Sequence, residues 1–192
     1  RDTLAGLDPR QLRAIGISLP GIVDGAGNVV ASVIFPTWVG FDLVGELGDR
    51  FGCPVVIDNG VRLATVAEHH MGSGRRFDDV LYLSVGARVA AGLILGGQPR
   101  RGAHNVAGDI GRVAFRGINE RTGQIRWRCA NTAKKVFELA RGHDAQAMRE
   151  LSEFIDELGR GIATVVMAID PAVVVIGGGM SLADEELLDP LR

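Results

Sequence analysis

The sequence predicts an α/β protein, and three observations carry that prediction. Short apolar runs, such as residues 55–57 and 173–176, end in polar or glycine-rich turns, as strands of a buried sheet do. Between the runs lie segments with apolar residues at helical spacing. The longest carries Met148, Leu151, Phe154, Ile155, Leu158 and Ile162 on one face. Glycine supplies 27 of the 192 residues and falls where runs end, which suits many tight connections rather than a low-complexity tract.

Each element follows in order. Residues 8–13 read as the end of a helix. Residues 14–24 are strand-like with a Pro20-Gly21 stop, and 24–32 read as a hairpin with Gly25 and Gly27 in the turn. Residues 42–51 form an amphipathic helix that Gly52 terminates. A strand at 55–57 and a helix at 61–71 come next. Residues 72–79, small, charged and unpatterned, are the linker candidate, dividing the chain into 1–74 and 75–192.

Beyond it, two strands flank a turn at 85–88, and residues 105–115 read as a loop followed by a strand. Residues 130–170 supply two helices split near 142–144. A buried-type strand then runs into Gly177, Gly178 and Gly179, and a last helix begins near 184.

Composition narrows the function. A net charge of −2 gives no nucleic-acid surface to this segment. Cys53 and Cys129 stand far apart without CxxC spacing, which predicts free thiols and a cytoplasmic protein. No apolar run reaches membrane-spanning length, and no signal peptide opens the chain, so no membrane partner is expected.

Four stretches, taken in order, carry a family signature: "GISLPGIVD" (16–24), "DNGVRLATVAE" (58–68), "LYLSVGARVAAGLILGGQPRRGAHNVAGDIGR" (81–112) and "DPAVVVIGGGMS" (170–181). Together they resemble the ROK family of sugar kinases and transcriptional regulators. The resemblance implies an actin-like ATPase (ribonuclease H-like) fold, two lobes around a cleft, with Pro20, Asn59, Asp109 and the glycines at 177–179 converging on it. Typical members carry further strands in front and further helices behind, and regulators add a winged helix-turn-helix. The chain is therefore expected to be a fragment lacking the N-terminal strands and the C-terminal helices.

The same resemblance assigns the chemistry. Asn59 matches the family's sugar-binding Asn, and Gly60 falls where a general-base Asp should take the proton of a sugar hydroxyl. Asp58 is adjacent, but neighbours on an extended segment point to opposite sides. The phosphate turn reads Gly86-Ala87-Arg88-Val89-Ala90, without the family's hydroxyl and with side chains at two glycine positions. Gly86, Gly177, Gly178 and Gly179 are read as a vestigial nucleotide site, with packing as the other reading of the three glycines. The zinc-binding Gly-His becomes Gly111-Arg112, and one Cys, Cys129, follows, so no metal is expected; His104 is read as an ordinary loop side chain. Asp109 stands where a sugar-binding Glu would be. A helix cap for Asn59 and a loop-stabilising role for Asp109 are the open alternatives.

From these residues we expect a protein that is not an enzyme and needs no cofactor. The leading reading is the sugar-sensing and dimerising part of a transcriptional regulator, which contacts DNA only through a domain absent from this chain. A divergent ROK sugar kinase is the alternative, and an empty structural pseudo-kinase the third. A homodimer is expected, with the helix at 149–167 as a candidate contact. Arg62, Arg88 and Arg112 occupy positions tied to the family's active site. Two of them in the cleft would favour an anionic sugar derivative; pairing with carboxylates is the reading given precedence.

Overall fold

The computed structural model describes residues 12–111, 119, 121–183 and 185–192. Strand β1 (Ile15–Leu19) runs into an antiparallel hairpin, β2 (Ile22–Val23) and β3 (Val29–Ala31). Helix α1 (Leu43–Phe51) follows, and β4 (Val55–Asn59) returns beside β1 as its parallel partner, from Ile15 opposite Val55 to Leu19 opposite Asn59.

The strand-like stretch 14–24 is thus two strands in two sheets. Pro20 has no N–H to give a ladder, so the chain turns there. The hairpin closes on Asp24, whose carboxylate accepts from Ala26 N and Asn28 N, both at 2.9 Å. Helix α1 starts at Asp42, which accepts from Gly45 N at 2.8 Å, and ends at Gly52 in the left-handed region at φ 64°. Leu19, Val23, Val29 and Ile57 form the small core of this part.

Helix α2 (Gly60–Met71) begins directly at the end of β4. The linker candidate begins as a tight turn against its C-terminus: Gly72 N and Gly74 N both bond Glu68 O, and Ser73 N bonds the Glu68 carboxylate.

The second sheet comprises β5 (Val80–Val85), β6 (Val89–Leu95), β7 (Gln98–Pro99) and, after α3 (Ala133–Arg141) and α4 (Ala145–Ile169), β8 (Val173–Gly177). Its order is β7-β6-β5-β8, with β5 antiparallel to β6 and parallel to β8. The continuous apolar run of β5 is explained by burial on both faces. Leu81, Leu83 and Val85 pack with Phe137, Phe154, Ile155 and Leu158 from α3 and α4. Val80 and Tyr82 cluster on the other face with Val61 and Ala64 of α2. The helices split where expected, with Asp144 capping α4 through Gln146 N and Ala147 N. Short helix α5 (Glu185–Leu188) follows β8. The strand expected after the 105 loop falls at 112–118, outside the described residues. Among the described residues no helix is long and apolar enough to cross a membrane.

Contact between α2 and β6 is close enough to require glycine. A Cβ at Gly92 would overlap the Thr65 side chain, whose hydroxyl already donates to Val61 O at 2.7 Å. Gly92→Ala is expected to cost about 1–3 kcal/mol, the usual range for overpacking a filled core. A shift in the urea midpoint at unchanged slope would measure it.

Candidate active site

The end of β4 is where a buried strand delivers polar groups to the start of a helix, the usual location of binding chemistry in α/β sheets. Asn59 caps α2: its Oδ1 accepts from Val61 N at 2.9 Å and Arg62 N at 3.2 Å. Its amide nitrogen donates to Gly21 O at 2.7 Å, which ties the Pro20-Gly21 turn to the same point. Gly60 faces β1: a Cβ there would lie 2.8 Å from Ser18 Oγ.

Asp58 is buried beside this junction, 7% exposed, and both its oxygens are engaged by arginines. Arg62 Nε donates to Oδ1 at 2.8 Å, and Arg101 Nη2 donates to Oδ2 at 2.7 Å. Arg62, 5% exposed, also reaches Val23 O at 2.8 Å and Asn105 O at 3.4 Å. Its guanidinium is therefore paired with a carboxylate and two carbonyls, the precedence given to pairing in the sequence reading.

Those contacts lay the 101–111 loop over the β4–α2 junction, and the loop continues along the free edge of β6. Ala91 N donates to Gly108 O at 2.7 Å. A Cβ at Gly108 would strike Ala91 O, and one at Gly111 would strike Val89 O, so the backbones run in direct contact. Asp109 sits on this segment with an exposed side chain.

At the far end the loop meets the β5–β6 turn. A Cβ at Gly86 would lie 3.6 Å from Gly179 N, and Gly178, at φ 91°, lies against the Val85 backbone. Arg88 turns toward the 119–125 segment: Nε donates to Thr122 O at 2.7 Å, while Nη2 is buried with no partner among the described residues. Arg112 lies outside the described residues. Backbone contacts therefore lead from the β4–α2 junction along the 101–111 loop to the start of β6, and the β5–β6 turn approaches Gly178 and Gly179.

The residues after the 101–111 loop do not fit a zinc site. Among the described residues no group of three or more metal-binding side chains occurs. Burial pushes the Cys129 thiol up, and the Glu150 charge adds to it, so the thiolate that would bind metal is disfavoured. Glu150 is 6% exposed and organises this segment itself, accepting from Arg128 N at 2.8 Å and the Gln146 amide at 3.1 Å.

Burial opposes ionisation of Glu150, but those hydrogen bonds outweigh it and hold the carboxyl below its usual 4.5. A depressed folded-state value stabilises the fold above the unfolded value and is lost as pH falls through the folded one. Stability is expected to decline on acidification below about pH 5, and Glu150→Gln should flatten that limb in denaturation midpoints measured against pH.

A sequence profile of the ROK family matches residues 5–129 and 112–192. The chain belongs to the ROK family. A glucokinase of Thermotoga maritima is 26% identical over 96% of this chain and 69% of its own length. A xylose repressor of Caldicellulosiruptor bescii is 24% identical over 96% of this chain and 54% of its own. Among solved structures, a ROK family glucokinase from Streptomyces griseus in complex with glucose and AMPPNP superposes with TM-score 0.79 at 25% identity. That likeness covers 98% of this chain and 72% of the glucokinase. The fold is the actin-like ATPase fold of the ROK sugar kinases. The chain spans about two thirds of the curated glucokinases and about half of the repressor.

These comparisons correct one expectation from the sequence, that the chain is not an enzyme. Its ROK relatives are mostly named as sugar kinases, among them glucokinases, a beta-glucoside kinase and an N-acetylgalactosamine kinase. The physical reason is that Gly60 removes a side chain at one position only. Carboxylates remain beside it at Asp58 and on the facing loop at Asp109. Sequence reasoning missed Arg101 and Glu150. Their signals were weak: a paired arginine before Gly102, and one acid on the otherwise apolar face of a long helix.

Proposed function

We propose that this chain is the sugar-binding and phosphoryl-transferring part of a ROK carbohydrate kinase that uses ATP. The observations that support the reading are the contacts that carry the 101–111 loop from the β4–α2 junction to the start of β6, and the close approach of the β5–β6 turn to Gly178–Gly179. A sugar at the first end and a nucleotide at the second would meet over Asp109. A sugar hydroxyl needs a carboxylate to take its proton as the phosphoryl group arrives. Both oxygens of Asp58 hold guanidinium donors, so we assign that role to Asp109. Asn59, with one amide hydrogen beyond its capping bonds, is assigned to a sugar hydroxyl. Gly86 and the glycines at 177–179 offer bare backbone to phosphate and adenosine. We place the lobe boundary in the 72–79 turn.

The test is ADP release by the complete protein with ATP and a panel of hexoses, pentoses and N-acetylhexosamines. Turnover with one of them is the expected result, and none with any of them overturns the reading. A second reading, the sugar-responsive part of a transcriptional regulator, is favoured by Gly60 and by the xylose repressor among the relatives. It predicts a sugar-induced rise in melting temperature together with sugar-dependent release of DNA. In that reading homodimerisation would fall to the exposed positions of α4, such as Met148 and Met167, because Phe154, Ile155 and Leu158 are core. Light scattering on the complete protein checks it.

A further inference from the structure

The three-residue cluster Asp58, Arg62 and Arg101 joins the end of the first sheet and the hairpin to the loop that follows the second sheet. Asp58 ends a strand of the first sheet, whereas Arg101 follows the edge strand β7 of the second. Arg62, on α2, touches the hairpin at Val23 O and the loop at Asn105 O. Arg101 Nη1 adds contacts to Asp58 Oδ1 at 3.2 Å and to Asp24 O at 3.3 Å. One buried carboxylate therefore gathers the β1–β4 sheet, the hairpin, the helix start and the 101–111 loop.

The loop has few other anchors before it reaches β6. Its internal bonds are the turns Asn105 N to Gly102 O, Ala107 N to Arg101 O and Asp109 N to Val106 O, and it meets β6 at Gly108. Asp109 follows immediately. Backbone contacts at Gly108 and Gly111 hold that carboxylate to β6, and the fork between Arg101 and Asp58 ties this loop to the strand end that carries Asn59, since a bidentate guanidinium–carboxylate pair fixes direction as well as distance.

We propose that Arg101 is a positioning residue, which acts through Asp58 as a latch between the two sheets and holds the Asp109 loop over the sugar end of the site. The latch rests on the kinase reading for its consequence in turnover, but not for its structural effect. Arg101 is suited to testing because its side chain is 37% exposed, so a truncated side chain leaves no buried void and the freed carboxylate keeps Arg62.

The experiment uses the complete protein with Arg101→Gln, Arg101→Lys and Asp109→Asn, alone and combined. Hydrogen exchange at amides 102–109 without ligand is expected to accelerate at least tenfold in Arg101→Gln, with less change in Arg101→Lys, while β5 and α4 keep their protection. Turnover is expected to fall on the order of tenfold to a hundredfold in Arg101→Gln, the effect of displacing a reacting group by about 1 Å. That loss should vanish in the Asp109→Asn background, because a residue acting through Asp109 has nothing left to position. Unchanged exchange at 102–109 overturns the latch. Equal losses in both backgrounds overturn its action through Asp109. If the wild-type protein releases no ADP with any sugar, the kinase reading fails, and exchange alone decides the latch.

Discussion

Asp109→Asn is expected to lower sugar phosphorylation by a factor of about 10²–10⁴, the usual contribution of a positioned general base. The side chains are nearly isosteric, so the loop along β6, held by backbone contacts at Gly108 and Gly111, should keep its course. What changes is proton affinity: an amide cannot take the proton that a sugar hydroxyl releases at neutral pH. The KM for ATP should stay within a few-fold, because the nucleotide end proposed at the β5–β6 turn and Gly178–Gly179 is not touched by the change. Asp109→Glu keeps a carboxylate on a longer reach and should retain more turnover than the amide. Initial rates with the complete protein, over sugar and ATP concentrations separately, give both parameters. Full turnover in Asp109→Asn would place the proton acceptor elsewhere.

Asp58→Ala is expected to destabilise the fold by about 3–5 kcal/mol, the range for breaking a buried ion pair from one side. The cost arises from the partner left behind. Arg62 is 5% exposed and cannot swing into water without leaving Val23 O and Asn105 O, so its charge would stay buried with carbonyl partners alone. Arg101, at 37% side-chain exposure, can turn outward. Replacing both Asp58 and Arg62 by Leu should cost less than Asp58→Ala alone, because no uncompensated charge remains. Urea denaturation of the three variants measures the ordering, and a larger loss in the double variant would contradict it.

Much of the architecture was legible because the local signals agree with one another. Asp42 and Gly52 bracket α1 as an N-cap and a left-handed stop should. The run 80–85 has no alternation, and the structure covers it on both faces. Where reading faltered, a contact between distant residues had intervened. The Pro20-Gly21 stop in the strand-like stretch 14–24 was legible, but not that the residues on its two sides join different sheets. For the linker candidate 72–79, composition could not reveal that Glu68 collects its first backbone N–H groups.

The sequence by itself determined the α/β class, the order of most elements, the family and the strand end at Asn59, because periodicity, capping residues and glycine stops are properties of neighbouring residues. It also exposed Gly60 and the altered turn at residues 86–90, and from them it implied a loss of catalysis that the family's named kinases contradict. Tertiary structure alone decided what the charged residues do. Asp58 and Arg101 lie 43 positions apart, and so do Arg62 and Asn105, yet each pair meets over one junction. No local pattern encodes such a meeting. A buried charge takes the partner that the packed sheets and loop bring within hydrogen-bond distance, and that partner exists only once the chain has folded.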